Sequence, residues 1–243
     1  MARGAAVAIV CKTPGVGGGK SRLRPLLGAD RVAQLSACFI RDIAATLDGL
    51  SPAVGGSRIA IYSPAGSEDA LRPLLPPHWR LFFQQAATIG EVLHASTSAF
   101  LADGHDCALV VNADSPTLPG SVVEQAVAAL REPGDRAVFG PASDGGYYLL
   151  GLKRSYARLF EDIVWSTPTV LTQSRERAAE IGLPVVLLPT WYDVDDAETL
   201  GVLEAELAGT PPAFAAPGLL GATPRHTRAM LAAGTGGQAA LRQ

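Results

Sequence analysis

Short apolar runs alternate along this chain with longer stretches in which apolar residues recur every three or four positions. Short runs are typical of buried strands, and the longer period is typical of amphipathic helices. The predicted strands cover residues 5–11, 58–63, 80–84, 106–112, 136–140, 146–152 and 184–188. The predicted helices cover residues 29–48, 67–75, 89–103, 120–131, 168–180 and 196–207. Strands that alternate with helices at this spacing predict an α/β domain with a largely parallel sheet.

Two predicted helices carry sequence signals at their ends. Thr167 and Pro168 fit an N-cap followed by proline at the first helical position, and Gly182 lies just past the end of the same helix. Ser121 and Glu124 have the spacing of a capping box.

The pattern changes after Ala208. Residues 209–224 are rich in Gly, Pro and Ala and have no period, and they precede a short helical stretch near 225–233 and a loose end from 234 to 243. We therefore expect a single domain over residues 1–208, followed by a C-terminal arm over residues 209–243.

Composition excludes several classes of protein. A chain of 243 residues that is 48% hydrophobic can bury the core of one domain, and a net charge of -3 gives no basic face for nucleic acid. No stretch approaches the ~20 apolar residues of a membrane span. The three cysteines, Cys11, Cys38 and Cys107, are an odd number set among apolar residues and read as buried thiols in a reducing compartment. We therefore expect a cytoplasmic protein without nucleic-acid or membrane partners.

A glycine-rich loop follows the first predicted strand and reads CKTPGVGGGKSRL over residues 11–23. Glycines let a backbone approach a ligand closely and turn its N–H groups toward it. Two of the chain's three lysines, Lys12 and Lys20, flank the turn, and an ammonium is well suited to a phosphate oxygen. We predict that this loop binds a nucleotide through its phosphates. The predicted phosphate-binding residues are Lys12, Gly15, Gly17, Gly18, Gly19, Lys20, Ser21 and Arg22.

This loop differs from two better-known phosphate loops. A Walker A motif requires Gly at position 14, which is Pro14, and its helix would contain Pro25 in an early turn. A Rossmann fingerprint requires a third glycine where Lys20 stands.

Acidic residues follow the later strands, where ligands of open α/β sheets bind. Asp114 comes directly after an apolar strand and is read equally well as a turn residue or as a ligand. Asp193, Asp195 and Asp196 lie close together before a helix, and although Asp195 or Asp196 can serve as its N-cap, one cap does not explain three carboxylates. A Mg²⁺ or Mn²⁺ ion explains the three carboxylates, because hard divalent cations prefer carboxylate and phosphate oxygens. We predict metal ligation by Asp114, Asp195 and Asp193.

The stretch from Gly140 to Tyr148 contains Asp144-Gly145-Gly146, which by itself favours a hairpin turn. Its flanking Gly-Pro and paired tyrosines also fit the lip of a binding site. Substrate contacts are predicted for Asn112, Ser115, Gly145, Gly146 and Tyr147.

Five ordered motifs give the chain a resemblance to a known family. The first is the lysine loop, in which Lys12, Gly15 or a neighbouring glycine, Lys20 and Arg22 are in place. The other four are NADSPTLP over 112–119, GPASDGGYYLLGL over 140–152, WST over 165–167 and DVDD over 193–196. Over residues 5–207 the chain resembles the glycosyltransferase-A-fold transferases associated with radical-SAM and selenodomain proteins. These belong to the nucleotide-diphospho-sugar transferase superfamily and are related to molybdenum-cofactor and 2-phospho-lactate guanylyltransferases.

The resemblance implies a mixed sheet of about seven strands flanked by helices. It also implies that Lys20 and Arg22 hold nucleotide phosphates and that Asp114 and Asp195 hold the metal. One segment departs from the relatives, which often carry QxGxDLGxRM where this chain reads QAATIGEVL over 85–93. The Asp and Arg are missing; if these residues contact the nucleotide or the acceptor in the relatives, this chain's substrate differs or its activity is weaker.

Three functions remain open. The lysine loop favours transfer of a nucleotidyl group from a nucleoside triphosphate to a phosphorylated small molecule, with Lys20 and Arg22 as catalytic groups. The alternative is sugar transfer from a nucleotide-sugar to an acceptor hydroxyl, which needs a carboxylate base, and Asp144 is the candidate. A third possibility is a non-catalytic nucleotide-binding module.

Overall fold

The computed structural model describes residues 3–16 and 18–240, and within these ranges seven strands form one sheet. The strands are β1 Ala5–Lys12, β2 Ser57–Ser63, β3 Arg80–Phe83, β4 Cys107–Asn112, β5 Ala137–Pro141, β6 Tyr147–Leu152 and β7 Val185–Leu187. The helices are α1 Arg24–Leu27, α2 Ala29–Asp48, α3 Glu68–Leu71, α4 Ile89–Ala102, α5 Gly120–Arg131, α6 Val170–Glu180, α7 Ala197–Leu207 and α8 Arg225–Ala240. Two 3₁₀ helices cover Arg72–Leu74 and Ala157–Phe160.

The sheet has the order β3-β2-β1-β4-β6-β5-β7, and β6 runs antiparallel to both of its neighbours while the other pairs are parallel. This confirms the mixed, mainly parallel seven-stranded sheet. The chain moves outward in one direction from β1 to β2 and β3, and in the other direction to β4. The edge between β1 and β4 is therefore the point where the strand order reverses, and the carboxyl ends of these two strands open a crevice there.

Helices cover both faces of the sheet, which is why β1 is apolar at nearly every position. Alternate side chains of β1 lie on opposite faces of the sheet. Ala5, Val7 and Ile9 pack in the core beneath α2, α5 and α7. Ala6 and Ala8 pack in the core beneath α4 and α6. A strand exposes successive side chains on opposite faces, so both cores are built from one short run.

Some helix ends differ from the sequence prediction. Helix α6 begins at Val170 with no side-chain cap, because Thr167 instead donates to the Val164 carbonyl. Ser121 forms no capping box either, since α5 begins at Gly120 and Glu124 accepts a hydrogen bond from the Ser51 backbone. Gly182 does lie just past α6, in a left-handed conformation.

The segment after α7 packs against the domain. Phe214 and Leu219 contact the larger core, and Asp42 of α2 accepts hydrogen bonds at 2.9 and 2.8 Å from the backbone N–H groups of His226 and Thr227, the start of α8. Helix α8 continues to Ala240, where the sequence predicted a loose end from Gly234. The division into a domain over 1–208 and an arm over 209–243 stays a prediction.

No helix in the described ranges combines the length and apolar character needed to cross a bilayer. Cys11 and Cys107 are buried as predicted, while Cys38 is half-buried, and all three are free thiols.

Candidate active site

Lys20 lies at the centre of the crevice and contacts three oxygens from two distant segments. Its Nζ is 2.8 Å from Asp114 Oδ1, 3.2 Å from Asp195 Oδ1 and 2.6 Å from the backbone carbonyl oxygen of Val194. A lysine ammonium has three N–H donors, so three acceptors saturate it. The sequence assigned Lys20 to the phosphates and the two aspartates to a metal, and the structure brings the three side chains into direct contact.

The backbone and the packing around Lys20 hold it in this position. Its φ of 51° lies in the left-handed region, which non-glycine residues adopt rarely and at some cost in free energy. The side chain is only 4% exposed, and its ammonium lies 5.2 Å from the centroid of the Phe39 ring, within the range of a cation–π interaction. The aliphatic part of the lysine is thus buried, and its charge lies between the carboxylates.

Backbone hydrogen bonds bring Asp195 to Asp114. The N–H of Val194 donates to the Asp114 carbonyl at 2.9 Å, and the Ser115 hydroxyl donates to the Tyr192 carbonyl at 2.7 Å. The segment before α7 therefore crosses the carboxyl end of β4. Asp196 does not join the pair, because it caps α7 in a capping box with Thr199.

Arg22 approaches the carboxylates from the solvent side. Its guanidinium is 3.2 Å from Asp195 Oδ2 and 3.6 Å from Asp196 Oδ2, and the side chain is 63% exposed. An exposed ion pair of this kind contributes little to stability, which leaves Arg22 available for a ligand.

Asp193 lies within the same concentration of negative charge. Burial, and then the nearby carboxylates of Asp195, Asp144 and Asp114, raise the pKa of Asp193 to about 7. A carboxyl group surrounded by three like charges indicates a place where a further cation is electrostatically favoured.

These residues line a cleft with a volume of about 990 Å³. The lysine loop and the acidic residues form one side. The other side consists of Gln84–Ile89, Tyr147 and the segment Trp165–Pro168. A cleft of this volume is in the range that accommodates a nucleotide-sized ligand.

The loop before α1 presents unpaired donors to this cleft. The backbone N–H groups from Gly18 to Arg22 find no acceptor within the described ranges, and Gly19, Lys20, Ser21 and Arg22 line the cleft. Consecutive N–H groups that point toward one place, beside cationic side chains, are a typical setting for an anion.

Most of the residues predicted from the sequence meet in this cleft. Those that line it are Lys12, Gly19, Lys20, Ser21, Arg22, Asn112, Asp114, Asp144, Gly146, Tyr147, Asp193 and Asp195. Gly15, Gly18, Ser115 and Gly145 lie outside its lining; Ser115 is fully buried in its bond to Tyr192. Gly17 lies outside the described residues.

Two of the lining residues have unusual surroundings. The buried Oδ1 of Asn112 has no hydrogen-bond partner in the part of the chain that the structure describes, so a donor from a ligand is expected there. Asp144 is exposed on the β5–β6 hairpin, where its Oδ1 accepts a hydrogen bond from the Gly146 N–H at 2.9 Å. The turn reading of this motif is therefore confirmed, and the same turn also reaches the cleft.

Sequence reasoning did not include the segment Trp165–Pro168 among the site residues. Two glycines hold this segment: a Cβ on Gly90 would overlap the indole of Trp165, and a Cβ on Gly145 would overlap the carbonyl oxygen of Pro168. Ser166, between them, has a φ of 63°. The WST motif was visible in the sequence, but only these contacts with α4 and the hairpin make it a wall of the cleft.

The residues present fit a divalent cation with few protein ligands. Within the described ranges no group of three or more Asp, Glu, His or Cys side chains is arranged as a metal site, so the predicted trio with Asp193 is not formed. Asp114 and Asp195, however, are a pair of partly exposed carboxylates, one just after β4 and the other just before α7. Mg²⁺ is commonly held by one or two carboxylates, with water and substrate phosphates completing the shell.

A comparison with protein-family models gives one match. The family described as "Uncharacterized protein conserved in bacteria (DUF2064)" matches residues 46–167, half of the chain. This range contains Asp114, Asp144 and Trp165 but neither Lys20 nor Asp195. The comparison with curated proteins gave no match.

Several solved structures of similar fold are described as transferases or synthetases. A Desulfovibrio desulfuricans protein, provisionally described as a nucleotide-diphospho-sugar transferase, is 27% identical, with a TM-score of 0.79 and coverage of 97% of this chain and 96% of that one. CMP:2-keto-3-deoxy-manno-octonic acid synthetase, solved with CTP, is 13% identical, with a TM-score of 0.56; the match covers 84% of this chain and 98% of the synthetase. Glucosyl-3-phosphoglycerate synthase from Mycobacterium tuberculosis, solved with Mn²⁺, UDP and glucosyl-3-phosphoglycerate, is 11% identical, with a TM-score of 0.50. The match covers 87% of this chain and 82% of the synthase.

These matches support the nucleotide-diphospho-sugar transferase superfamily that the sequence motifs indicated. The association with radical-SAM proteins and the kinship with guanylyltransferases stay predictions.

Proposed function

The chain belongs to the DUF2064 family, and we propose that it is a metal-dependent transferase that uses a nucleotide donor. The positive charge of the lysine loop favours nucleotidyl transfer from a nucleoside triphosphate to a phosphorylated small molecule or sugar phosphate. The small-molecule acceptor enters the same cleft, and the three free thiols fit a cytoplasmic protein.

One observation carries this proposal: a cationic, N–H-lined loop and a carboxylate pair meet at the strand-order reversal of the sheet. Lys20 contacts Asp114 and Asp195 directly, and beside them the N–H groups from Gly18 to Arg22 have no acceptor among the residues that the structure describes. Phosphoryl and nucleotidyl transfer depend mainly on positioning and charge neutralisation, which is what this set of groups offers.

Each residue has a role in the proposed reaction. The loop N–H groups, Lys20, Arg22 and Lys12 bind the phosphates of the donor. Asp114 and Asp195 hold a Mg²⁺ or Mn²⁺ ion, which when bound polarises phosphate oxygens and neutralises the charge that develops on them. The Asn112 side chain and Tyr147 orient the substrates, and the Trp165–Pro168 wall limits the access of water.

Sugar transfer is the second candidate. It is favoured by the exposed carboxylate of Asp144 on the cleft, which is free to act as a base toward an acceptor hydroxyl, and the solved structures of similar fold include both kinds of transferase. The lysine loop favours nucleotidyl transfer, because a triphosphate carries more negative charge than the diphosphate of a nucleotide-sugar. The third candidate, a non-catalytic nucleotide-binding module, rests on the missing Asp and Arg in residues 85–93.

One assay separates these reactions. The purified protein is incubated with Mg²⁺, a pool of acceptors that includes phosphorylated small molecules, and each nucleoside triphosphate or nucleotide-sugar in turn, and pyrophosphate and nucleoside diphosphate are measured. Acceptor-dependent release of pyrophosphate supports nucleotidyl transfer. Acceptor-dependent release of nucleoside diphosphate from a nucleotide-sugar supports the second candidate. Nucleotide binding without either product supports the third.

A further inference from the structure

The ammonium of Lys20 occupies the position between two carboxylates that a bridging cation needs. Its three oxygen neighbours lie at 2.6, 2.8 and 3.2 Å and come from the Val194 carbonyl, Asp114 and Asp195. A divalent ion that binds both carboxylates requires the same space and carries the same sign of charge. Lys20 and the ion therefore exclude each other from this position.

We propose that Lys20 competes with the divalent cation for the Asp114–Asp195 pair. Its ammonium occupies the pair until nucleotide phosphates draw it away. The site then takes its donor as a complex of cation and nucleotide, and it binds the free cation weakly. This inference rests on the proposed function, which supplies the phosphates.

The structure provides an alternative partner for the lysine within reach. The N–H groups from Gly18 to Arg22, which have no acceptor in the part of the chain that the structure describes, belong to the same stretch of backbone as Lys20, so a phosphate bound to them would lie close to the lysine. The left-handed φ of Lys20 is disfavoured for a residue with a side chain, and Gly19 beside it has open space around its Cα. Strain in the Lys20 backbone is relieved when the residue leaves this conformation, and the neighbouring glycine lets the backbone adjust, so both features lower the cost of moving the ammonium from carboxylate to phosphate.

The other cations of the cleft do not block the pair in this way. Arg22 binds Asp195 through Oδ2, on the solvent side, and leaves Asp114 untouched. Lys12 is exposed on the cleft and forms no ion pair with any residue that the structure describes. Lys12 is therefore a matched control, since it has the same charge in the same cleft without the same contacts.

The test measures Mn²⁺ binding in the absence of nucleotide, by the loss of the electron paramagnetic resonance signal of free Mn²⁺. The variants are Lys20→Gln, which keeps a donor for the Val194 carbonyl, Lys20→Met, which has a similar length, and Lys12→Met. A neighbouring opposite charge changes the affinity of a carboxylate for a proton by about ten- to a thousandfold, and we expect a competing ammonium to act similarly on a metal ion. Lys20→Gln and Lys20→Met should therefore bind Mn²⁺ at least about tenfold more tightly than the wild type.

Two further results are expected. Lys12→Met should stay within about threefold of the wild type, because its charge is screened by solvent. Adding Asp114→Asn to Lys20→Gln should remove the gain. Thermal melts show whether each variant is folded, and a gain in either Lys20 variant supports the inference.

The outcome for Lys20 is distinguishable from the outcome for the proposed function. If folded Lys20→Gln and Lys20→Met bind Mn²⁺ no more tightly than the wild type, the inference is overturned, even where calorimetry shows that nucleoside triphosphates bind. If Mn²⁺ binding tightens but none of the four nucleoside triphosphates binds to the wild type with Mn²⁺, the competition stands and the proposed function fails.

Discussion

The Lys20 ammonium and the Asp114 carboxylate lie 2.8 Å apart at the carboxyl ends of two neighbouring parallel strands, β1 and β4. One loop thus provides the positive charge and the other provides the negative charge at a single point in the cleft. The pair is also shielded, because the lysine side chain is almost entirely buried while the carboxylate remains partly open to ligands.

Removing the Lys20 charge should abolish most of the proposed activity. Lys20→Ala should lower turnover by about a hundredfold or more, the size of effect found when a group that stabilises transition-state charge is deleted. Product release with Mg²⁺ at saturating nucleotide measures this, and circular dichroism checks the fold. Lys153→Ala is the control, since Lys153 donates to the Glu132 carbonyl far from the cleft. A Lys20→Ala rate near that of the control would contradict a catalytic role.

Asp114 should determine the response to the metal. In Asp114→Asn the rate should no longer rise with Mg²⁺ or Mn²⁺, because a neutral amide is a much weaker ligand than a carboxylate for a hard cation. Titration of the rate with metal at fixed nucleotide measures this. Asp103→Asn, which changes an exposed aspartate paired with Arg80, should keep the wild-type titration curve. A normal metal response in Asp114→Asn would exclude this residue as a ligand.

Trp165 should report on occupation of the cleft. Trp79 and Trp191 are 2% and 0% exposed, whereas Trp165 is half-buried on the cleft wall. Acrylamide should therefore quench mainly Trp165, and a bound nucleotide should protect it. The measurement is a quenching titration with and without nucleotide and Mg²⁺. In Trp165→Phe both the quenching and the protection should largely disappear, and undiminished quenching in this variant would show that the accessible indole is another one.

Asp42 should fasten helix α8 to the domain. Asp42→Ala leaves the N–H groups of His226 and Thr227 without their acceptor, and losing a helix cap lowers the free energy of unfolding by about 1–2 kcal/mol. Asp42→Asn should retain part of the stabilisation that the cap provides, because asparagine also caps helices well. Asp30→Ala, an exposed change in the same helix, should cost no more than about 0.5 kcal/mol. Denaturant melts measure all three, and equal costs for Asp42→Ala and Asp30→Ala would argue against the fastening.

Glu206 should make stability depend on pH. Its burial raises its pKa above the ordinary value, and its carboxylate accepts a hydrogen bond of 2.5 Å from the Tyr192 hydroxyl. The folded state then holds a proton that the unfolded state has lost, so this group's contribution to stability is full below the unfolded pKa. It declines as the pH rises through the folded pKa.

Glu206→Gln keeps an acceptor for Tyr192 and removes the titration. Its free energy of unfolding relative to the wild type should therefore improve as the pH rises from about 4 toward neutrality, the range above the ordinary glutamate pKa. Urea melts at several pH values measure the difference. A difference that does not change with pH would show that Glu206 titrates normally in the folded protein.

Local patterns predicted much of the fold. The apolar run of β1 and the long amphipathic repeat of α2 were identified within a residue of their bounds, because the period of a strand or helix is set by neighbours along the chain. Capping was predicted less well. Ser121 has the right spacing for a capping box, but Glu124 is drawn to the Ser51 backbone by a contact that no local pattern contains.

The sequence alone determined the alternation of strands and helices, the glycine-rich loop with Lys20, and the acidic residues at the strand ends. Only the tertiary structure decided that Lys20 contacts Asp114 and Asp195, and that Trp165 closes the opposite wall against Gly90. The physical reason is that local sequence sets hydrogen bonds within a few residues. Which strand ends meet depends on distant bonds, such as the one from the Val194 N–H to the Asp114 carbonyl.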